Sequence, residues 1–277
     1  MNYCFMLYPG FRRKALTLSY DDGVIFDKRL IEIMDKHGLK GTFNINSGRF
    51  AQNEGEWRMT EKTAYELYAN STHEVAVHGV EHLSLGEVPL ATGTMDIVND
   101  RLNLEKLFGK QIRGMAYANG SVGDNAEQIL TCAGIRYSRT TRATEKFDIP
   151  SNWLKLDPTC HHNHPRLMEM AKEFVEFKQR DYTPARRCLL FYLWGHSYEF
   201  NNNNNWEVIE EFAEFMGGRD DVWYATNMEI YTYVKAFESL EWFMDMSGVY
   251  NPSAIPVCVE YKNIQCVVNP GETVRFE

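Results

Sequence analysis

Two adjacent aspartates, Asp21 and Asp22, end the run Leu16-Thr17-Leu18-Ser19-Tyr20, and Gly23 follows them at once. His78 and His82 come next, spaced His-x-x-x-His. Three of these four side chains can grip one divalent ion, and one carboxylate is left over. Hydrolysis of an amide or ester by metal-activated water needs that inventory: ligands that leave a coordination position open, with a base beside them. An Asp and two His leave about three positions for water and substrate. His196, after Leu189-Leu190-Phe191-Tyr192-Leu193-Trp194-Gly195, adds a group able to protonate a leaving amine. From residue type alone it could equally be a fourth ligand or a packed histidine.

These side chains converge only if the chain places them at one end of a sheet. Neighbours within a strand point to opposite faces, so Asp21 and Asp22 can share a centre only where the strand turns, as Gly23 permits. His78 and His82 face the same way if they share a helical turn. Both motifs follow short apolar runs, and so does His196. The remaining chain alternates strand and helix patterns. Helical spacing covers 27–38, 60–70, 94–108, 124–133, about 165–178 and 206–216, with Thr60 as a cap. Strand patterns cover 14–20, 41–46, 74–77, 112–117, 135–140, 188–195 and 222–226. The expectation is an α/β fold, a distorted (β/α) barrel of about seven parallel strands. Pro9-Gly10 predicts a hairpin over residues 3–20. The expected domains are a barrel, residues 1–238, and a small C-terminal antiparallel β appendage, residues 239–277. The Asn201–Asn205 run is taken as a polar loop capping the next helix.

Composition removes other classes. With 29 basic against 38 acidic side chains in 277 residues and a net charge of −9, a polyanion is repelled, so no nucleic-acid partner is expected. No apolar run approaches the ~18 residues of a spanning helix, and the N-terminus puts its apolar residues before Arg12-Arg13-Lys14, the reverse of a secretory leader. The expectation is a cytoplasmic protein with no membrane partner. Six scattered cysteines with no Cys-x-x-Cys favour free thiols.

Ser19-Tyr20-Asp21-Asp22-Gly23, His78-Gly79-Val80-Glu81-His82 and Leu193-Trp194-Gly195-His196, in that order, resemble three signatures of the polysaccharide deacetylases of the NodB-homology type, carbohydrate esterase family 4. The resemblance covers roughly residues 15–235. It implies that Asp21 is the general base, that Asp22, His78 and His82 hold a divalent metal, and that His196 is the general acid. The implied metal is zinc first, with cobalt, nickel or manganese as alternatives. The implied substrate is an N-acetylated, less readily O-acetylated, sugar or oligosaccharide. A backbone N–H near Tyr117 is implied to face the oxyanion.

Two signatures depart from the pattern. In Arg113-Gly114-Met115-Ala116-Tyr117 one residue is added and a proline is lost, so the arginine that orients the base is either Arg113 or Arg139. The fourth is distorted to Trp153-Leu154-Lys155-Leu156-Asp157-Pro158-Thr159-Cys160-His161-His162. Here His161 is a candidate to contact substrate, and Trp153 and Trp194 to stack on a sugar ring. His162 and His164 are expected in a polar loop. Three rivals stand beside this: an allantoinase-like amidohydrolase acting on a small amide, a two-His-one-carboxylate iron oxygenase, and a catalytically idle carbohydrate-binding protein.

Overall fold

The computed structural model describes residues 4–53, 55, 57–178 and 186–276. Tyr3 of the expected hairpin and Glu277 of the expected appendage therefore lie outside the described residues. The first half runs β1 (Cys4–Leu7), β2 (Lys14–Asp21), α1 (Asp27–Lys36), β3 (Gly41–Ile45), α2 (Glu61–Ala69), β4 (Glu74–Val77), α3 (Leu90–Phe108), β5 (Gly114–Ala116), α4 (Ala126–Cys132) and β6 (Tyr137–Arg139). The second runs β7 (Cys160–His161), α5 (Leu167–Glu176), β8 (Leu189–Gly195), α6 (Ser197–Asn202), α7 (Glu207–Met216), β9 (Val222–Tyr224) and α8 (Asn227–Glu238). Five short strands close the chain: β10 (Glu241–Trp242), β11 (Gly248–Tyr250), β12 (Val257–Tyr261), β13 (Ile264–Val268) and β14 (Thr273–Arg275).

Seven parallel strands curl into an incomplete barrel in the order β6-β5-β4-β3-β2-β8-β7, with β9 pairing β2. One edge of β2 runs along β8; its other edge pairs β9 at Lys14–Leu16 and β3 at Leu18–Asp21. Between the sheet's ends, Leu156 bridges to Arg139 while Cys160 pairs with Leu193, so the segment 156–161 spans the gap. Among the described residues no helix is long and apolar enough to cross a membrane.

The period of two along β2 explains what the barrel holds. All eight of its residues are buried, yet from Leu16 onward only alternate ones are apolar. Leu16, Leu18 and Tyr20 join the main core, whereas Thr17, Ser19 and Asp21 lie on the other face. The polar face is internally paired: Thr17 Oγ1 donates to Asn227 Oδ1 at 2.8 Å, and Asn44 Nδ2 donates to Ser19 Oγ and to Asp21 Oδ1 at 2.9 Å each. Buried polar groups need such partners. The line of polar residues leads up the strand to Asp21.

The expected antiparallel strands at the C-terminus are present, one helix is added, and two local expectations are corrected. β1 pairs antiparallel with β12, not with β2, although a Tyr8–Arg12 bridge closes the Pro9-Gly10 turn. The last strands form two small antiparallel sheets, β1-β12-β13 and β10-β11-β14. The helix α8 went unread although Thr226 and Glu229 form its capping box. The asparagine run is partly helical, since α6 extends to Asn202.

Candidate metal and catalytic site

The C-terminal ends of the parallel strands carry the chemistry, the expected face of such a barrel. Asp22 follows β2, and its φ of +82°, with Gly23 at +59°, makes the turn that swings its carboxylate toward Asp21's end of the bore. The left-handed conformation is uncommon for a non-glycine residue. It is held by the Asp22 N–H donating to the Asn44 carbonyl at 2.9 Å and by Arg58 Nη1 donating to the Asp22 carbonyl.

Asp22, His78 and His82 each offer one donor atom, all within 4.8 Å of one another. The His78–His82 segment is an irregular loop, not the helical turn its spacing suggests; Gly79 has φ +84° and His82 φ +58°. The two rings nevertheless converge, with centroids 4.8 Å apart. His78 Nδ1 lies 2.8 Å from the Ala116 carbonyl oxygen, which can only accept, so Nδ1 is the donor there and Nε2 is the ring nitrogen left for the site. Burial, with His78 beside it, pushes the His82 imidazole down to about 4, and it is neutral at pH 7. Two imidazoles and a carboxylate suit a divalent ion such as zinc.

Asp21 is 2% exposed. Burial raises its carboxyl, but the Arg139 guanidinium on Oδ2, together with His78 and His196 nearby, outweighs that and holds it below the usual carboxylate range. It is therefore ionised. Oδ2 stands 3.9 Å from His78 Nε2 and 3.9 Å from His196 Nε2. The carboxylate thus lies between His78 and His196.

Arg139 is the arginine that reaches Asp21. It is the last residue of β6 and fully buried, with Nη1 donating to the Thr140 carbonyl at 3.1 Å and the guanidinium 4.3 Å from the Trp194 ring centroid. Arg113 precedes β5, at the opposite end of the strand, and is not brought to the site. The Tyr117 N–H donates to the Arg139 carbonyl at 2.9 Å and its hydroxyl to the Leu154 carbonyl at 2.7 Å. The N–H of Tyr117 itself is thus engaged with the backbone of Arg139.

Glu199 was not anticipated, although His196 and Glu199 stand three apart on one helical turn, a spacing that could have exposed it. Its carboxylate accepts from His196 Nδ1 at 2.9 Å and Asn163 Nδ2 at 2.8 Å, with His162 Nε2 at 2.9 Å and His161 Nε2 at 3.3 Å. Burial raises the Glu199 carboxyl, but these donors hold it well below its usual value. His196 responds in kind: burial alone lowers it, and the bond to Glu199 and the charge on Asp21 leave it above its ordinary value. Its Nδ1 carries a proton to Glu199 and its Nε2 faces Asp21.

The other candidates divide. His161 lies at the site with its ring 4.5 Å from Trp194, is pushed down to about 4 chiefly by burial, and its Nδ1 accepts from the Asn163 N–H at 3.1 Å. His162 is not in a surface loop. It is 1% exposed, stacked against Phe200 at 4.1 Å, and fills the space where a Cβ on Gly195 would fall. His164 stays at the rim, 3.6 Å from Glu145. Trp153 is buried in the second core against Tyr231, away from the cleft. A different tryptophan borders the site: Trp57, 42% exposed, packs 5.1 Å from Tyr198, which lies 5.0 Å from His196. All six cysteines are free. A pocket of about 710 Å³ beside Glu74, Trp223 and Tyr233 lies at the N-terminal ends of the strands and shares no residue with the site.

Residues 9–138 match the polysaccharide deacetylase family model. No curated protein matches the sequence. Among solved structures, the chain is similar to a protein from Mycobacterium smegmatis assigned to the polysaccharide deacetylases, at TM-score 0.58 and 15% identity, covering 99% of this chain and 98% of that one. An allantoinase matches at TM-score 0.58 and 13% identity over 81% of this chain and 91% of its own. A family 4 acetyl xylan esterase from Clostridium thermocellum, in complex with a cobalt ion, matches at TM-score 0.50 and 14% identity over 79% and 91%. At these identities the structures establish a shared fold. The match to the polysaccharide deacetylase family model spans Asp21, Asp22, His78 and His82 and stops short of His196.

Proposed function

We propose that the chain is a divalent-metal-dependent hydrolase that removes an acetyl group from an N-acetylated, or less readily an O-acetylated, sugar or oligosaccharide. The observation that carries this is the placement of the Asp21 carboxylate 3.9 Å from both His78 Nε2 and His196 Nε2. Asp22, His78 and His82 would hold the ion. Zinc fits their donor set, and the cobalt in the Clostridium thermocellum esterase supports a divalent ion of that kind. When bound, the ion supplies a Lewis acid that polarises an acyl carbonyl and acidifies water.

The protein's own groups do the rest. Asp21, kept ionised by Arg139, takes a proton from water as its oxygen attacks the acetyl carbon. His196, whose protonated form Glu199 favours, gives the Nε2 proton to the leaving amine as the carbon–nitrogen bond breaks, releasing acetate and a free amine. Positioned acids and bases of this kind each contribute typically about 10²–10⁴-fold. Trp57 and Tyr198 offer aromatic faces beside His196 on which a neighbouring sugar ring can stack.

The test is acetate release from N-acetylglucosamine oligomers and acetylxylan, with allantoin turnover assayed alongside, each with and without a chelator. Chelator-sensitive acetate release supports the proposal. Turnover of allantoin alone, or acetate release that survives complete metal removal, overturns it.

A further inference from the structure

The loop from His78 to His82 is part-buried and irregular, so its peptide groups have no continuous helix or strand to satisfy them. Three buried side chains take that role. Asp100 is fully buried on α3; its Oδ2 accepts from the N–H groups of His78 at 3.0 Å and Gly79 at 2.8 Å, and its Oδ1 from Ser47 N–H at 2.7 Å. Asp96 lies four residues earlier on the same helical face, and its Oδ1 accepts from the Glu81 N–H at 2.9 Å. Its Oδ2 stands against the position a Cβ on Gly79 would take, where the φ of +84° also favours glycine. From the end of β3, Asn46 Nδ2 donates to the carbonyl oxygens of both His78 and Gly79 at 2.8 Å each.

Five backbone groups of one short loop are thus held by side chains from two separate elements. None of the three side chains bonds to Asp21 or to His196. What they fix is the path that leaves His82 at φ +58° with its ring 4.8 Å from that of His78.

We infer that Asp100, Asp96 and Asn46 are positioning residues that set metal affinity, by holding the 78–82 loop in its ligating conformation before an ion arrives. The inference rests on the reading that Asp22, His78 and His82 take the metal. A loop already shaped needs no ordering on binding, so the cost of closure is removed from the affinity. Partners one shell beyond the ligands typically change metal affinity by about 10–100-fold when altered.

The two aspartates differ in a way that tests geometry against charge. Both Asp100 oxygens accept hydrogen bonds, so Asp100→Asn must turn its amide against an N–H. Among the described residues Asp96 accepts through Oδ1 alone, its Oδ2 having no hydrogen-bond partner, and Asp96→Asn can keep the Glu81 bond. Zinc and cobalt binding to the metal-free full-length protein are measured by calorimetry and by the cobalt absorption spectrum, with thermal melts confirming that each variant folds. The expected result is cobalt and zinc dissociation constants raised about 10–100-fold in Asp100→Asn, with an altered cobalt spectrum, and wild-type binding in Asp96→Asn. Wild-type affinity in a folded Asp100→Asn overturns the inference, as does equal weakening in both variants, which would point to charge alone. A wild-type protein that takes up neither metal overturns the underlying reading instead.

Discussion

Replacing Arg139 by methionine removes a guanidinium from a place where nothing else can do its work. Asp21 is 2% exposed and Arg139 0%, so the pair is shielded from water and its loss leaves a buried carboxylate uncompensated. Breaking such a pair costs about 3–5 kcal/mol, against a total stability of order 5–15 kcal/mol for a folded domain. Each kcal/mol corresponds to about 2–4 °C in Tm for a chain of this size, so Arg139→Met still folds but melts well below wild type. Burial, the largest influence on Asp21, is then opposed only by the more distant His78 and His196, and its carboxyl rises. With the base protonated at neutral pH, turnover falls by about 10²–10⁴-fold, while Asp22, His78 and His82 are untouched and metal content stays at one equivalent. The decisive assay is acetate release against pH. In wild type the acid limb lies below the usual carboxylate range, because Asp21 stays ionised there; in Arg139→Met it moves to higher pH, and raising the pH recovers part of the lost rate. Arg139→Lys restores charge without the planar fork that spans Asp21 and the Thr140 carbonyl, and it recovers activity only in part. Wild-type turnover with an unmoved acid limb in a folded Arg139→Met would refute this reasoning.

Two further outcomes follow from the same geometry. Glu199→Gln removes the negative charge that helps hold His196 above its ordinary value, so the alkaline limb of the pH profile moves to lower pH and the rate at pH 7 to 8 falls by about 10–100-fold, with metal content unchanged; an unmoved alkaline limb contradicts the role of His196 as acid. Trp57→Ala, which strips the exposed face beside Tyr198, raises KM for oligosaccharides by about fivefold, an aromatic contact of about 1 kcal/mol, and leaves kcat and the smallest acetylated substrate unaffected.

The parts of the site that could be read in advance are those written contiguously at strand ends. Asp21 and Asp22 before Gly23, the His78/His82 pair, and His196 closing an apolar run each carry their own local signal, and the structure brings all five together. Arg139 stood as a candidate because it ends a strand; choosing it over Arg113 required knowing which end of the sheet holds the site. The supporting groups left no comparable trace. Asp100 and Asp96 act across the packing of α3 against β4, and Asn44 acts through the β2–β3 register. Such contacts are set by tertiary arrangement, which spacing along one element does not encode. Trp153 was misplaced for the same reason: an apolar ring suited to a sugar also suits a core, and the contacts with Tyr231 put it there. The helix α8 was missed despite its Thr226–Glu229 capping box, because a buried amphipathic stretch straight after a strand reads as a continuation.

The central claim gives Asp22 to the metal and Asp21 to water, although the two are adjacent in the chain. Its most direct test is Asp21→Asn, assayed for bound metal and for acetate release on the same sample. The account predicts one equivalent of zinc or cobalt with turnover reduced by about 10²–10⁴-fold, in contrast to Asp22→Ala or His78→Ala, which lose both. Acetate release from Asp21→Asn at the wild-type rate would contradict it.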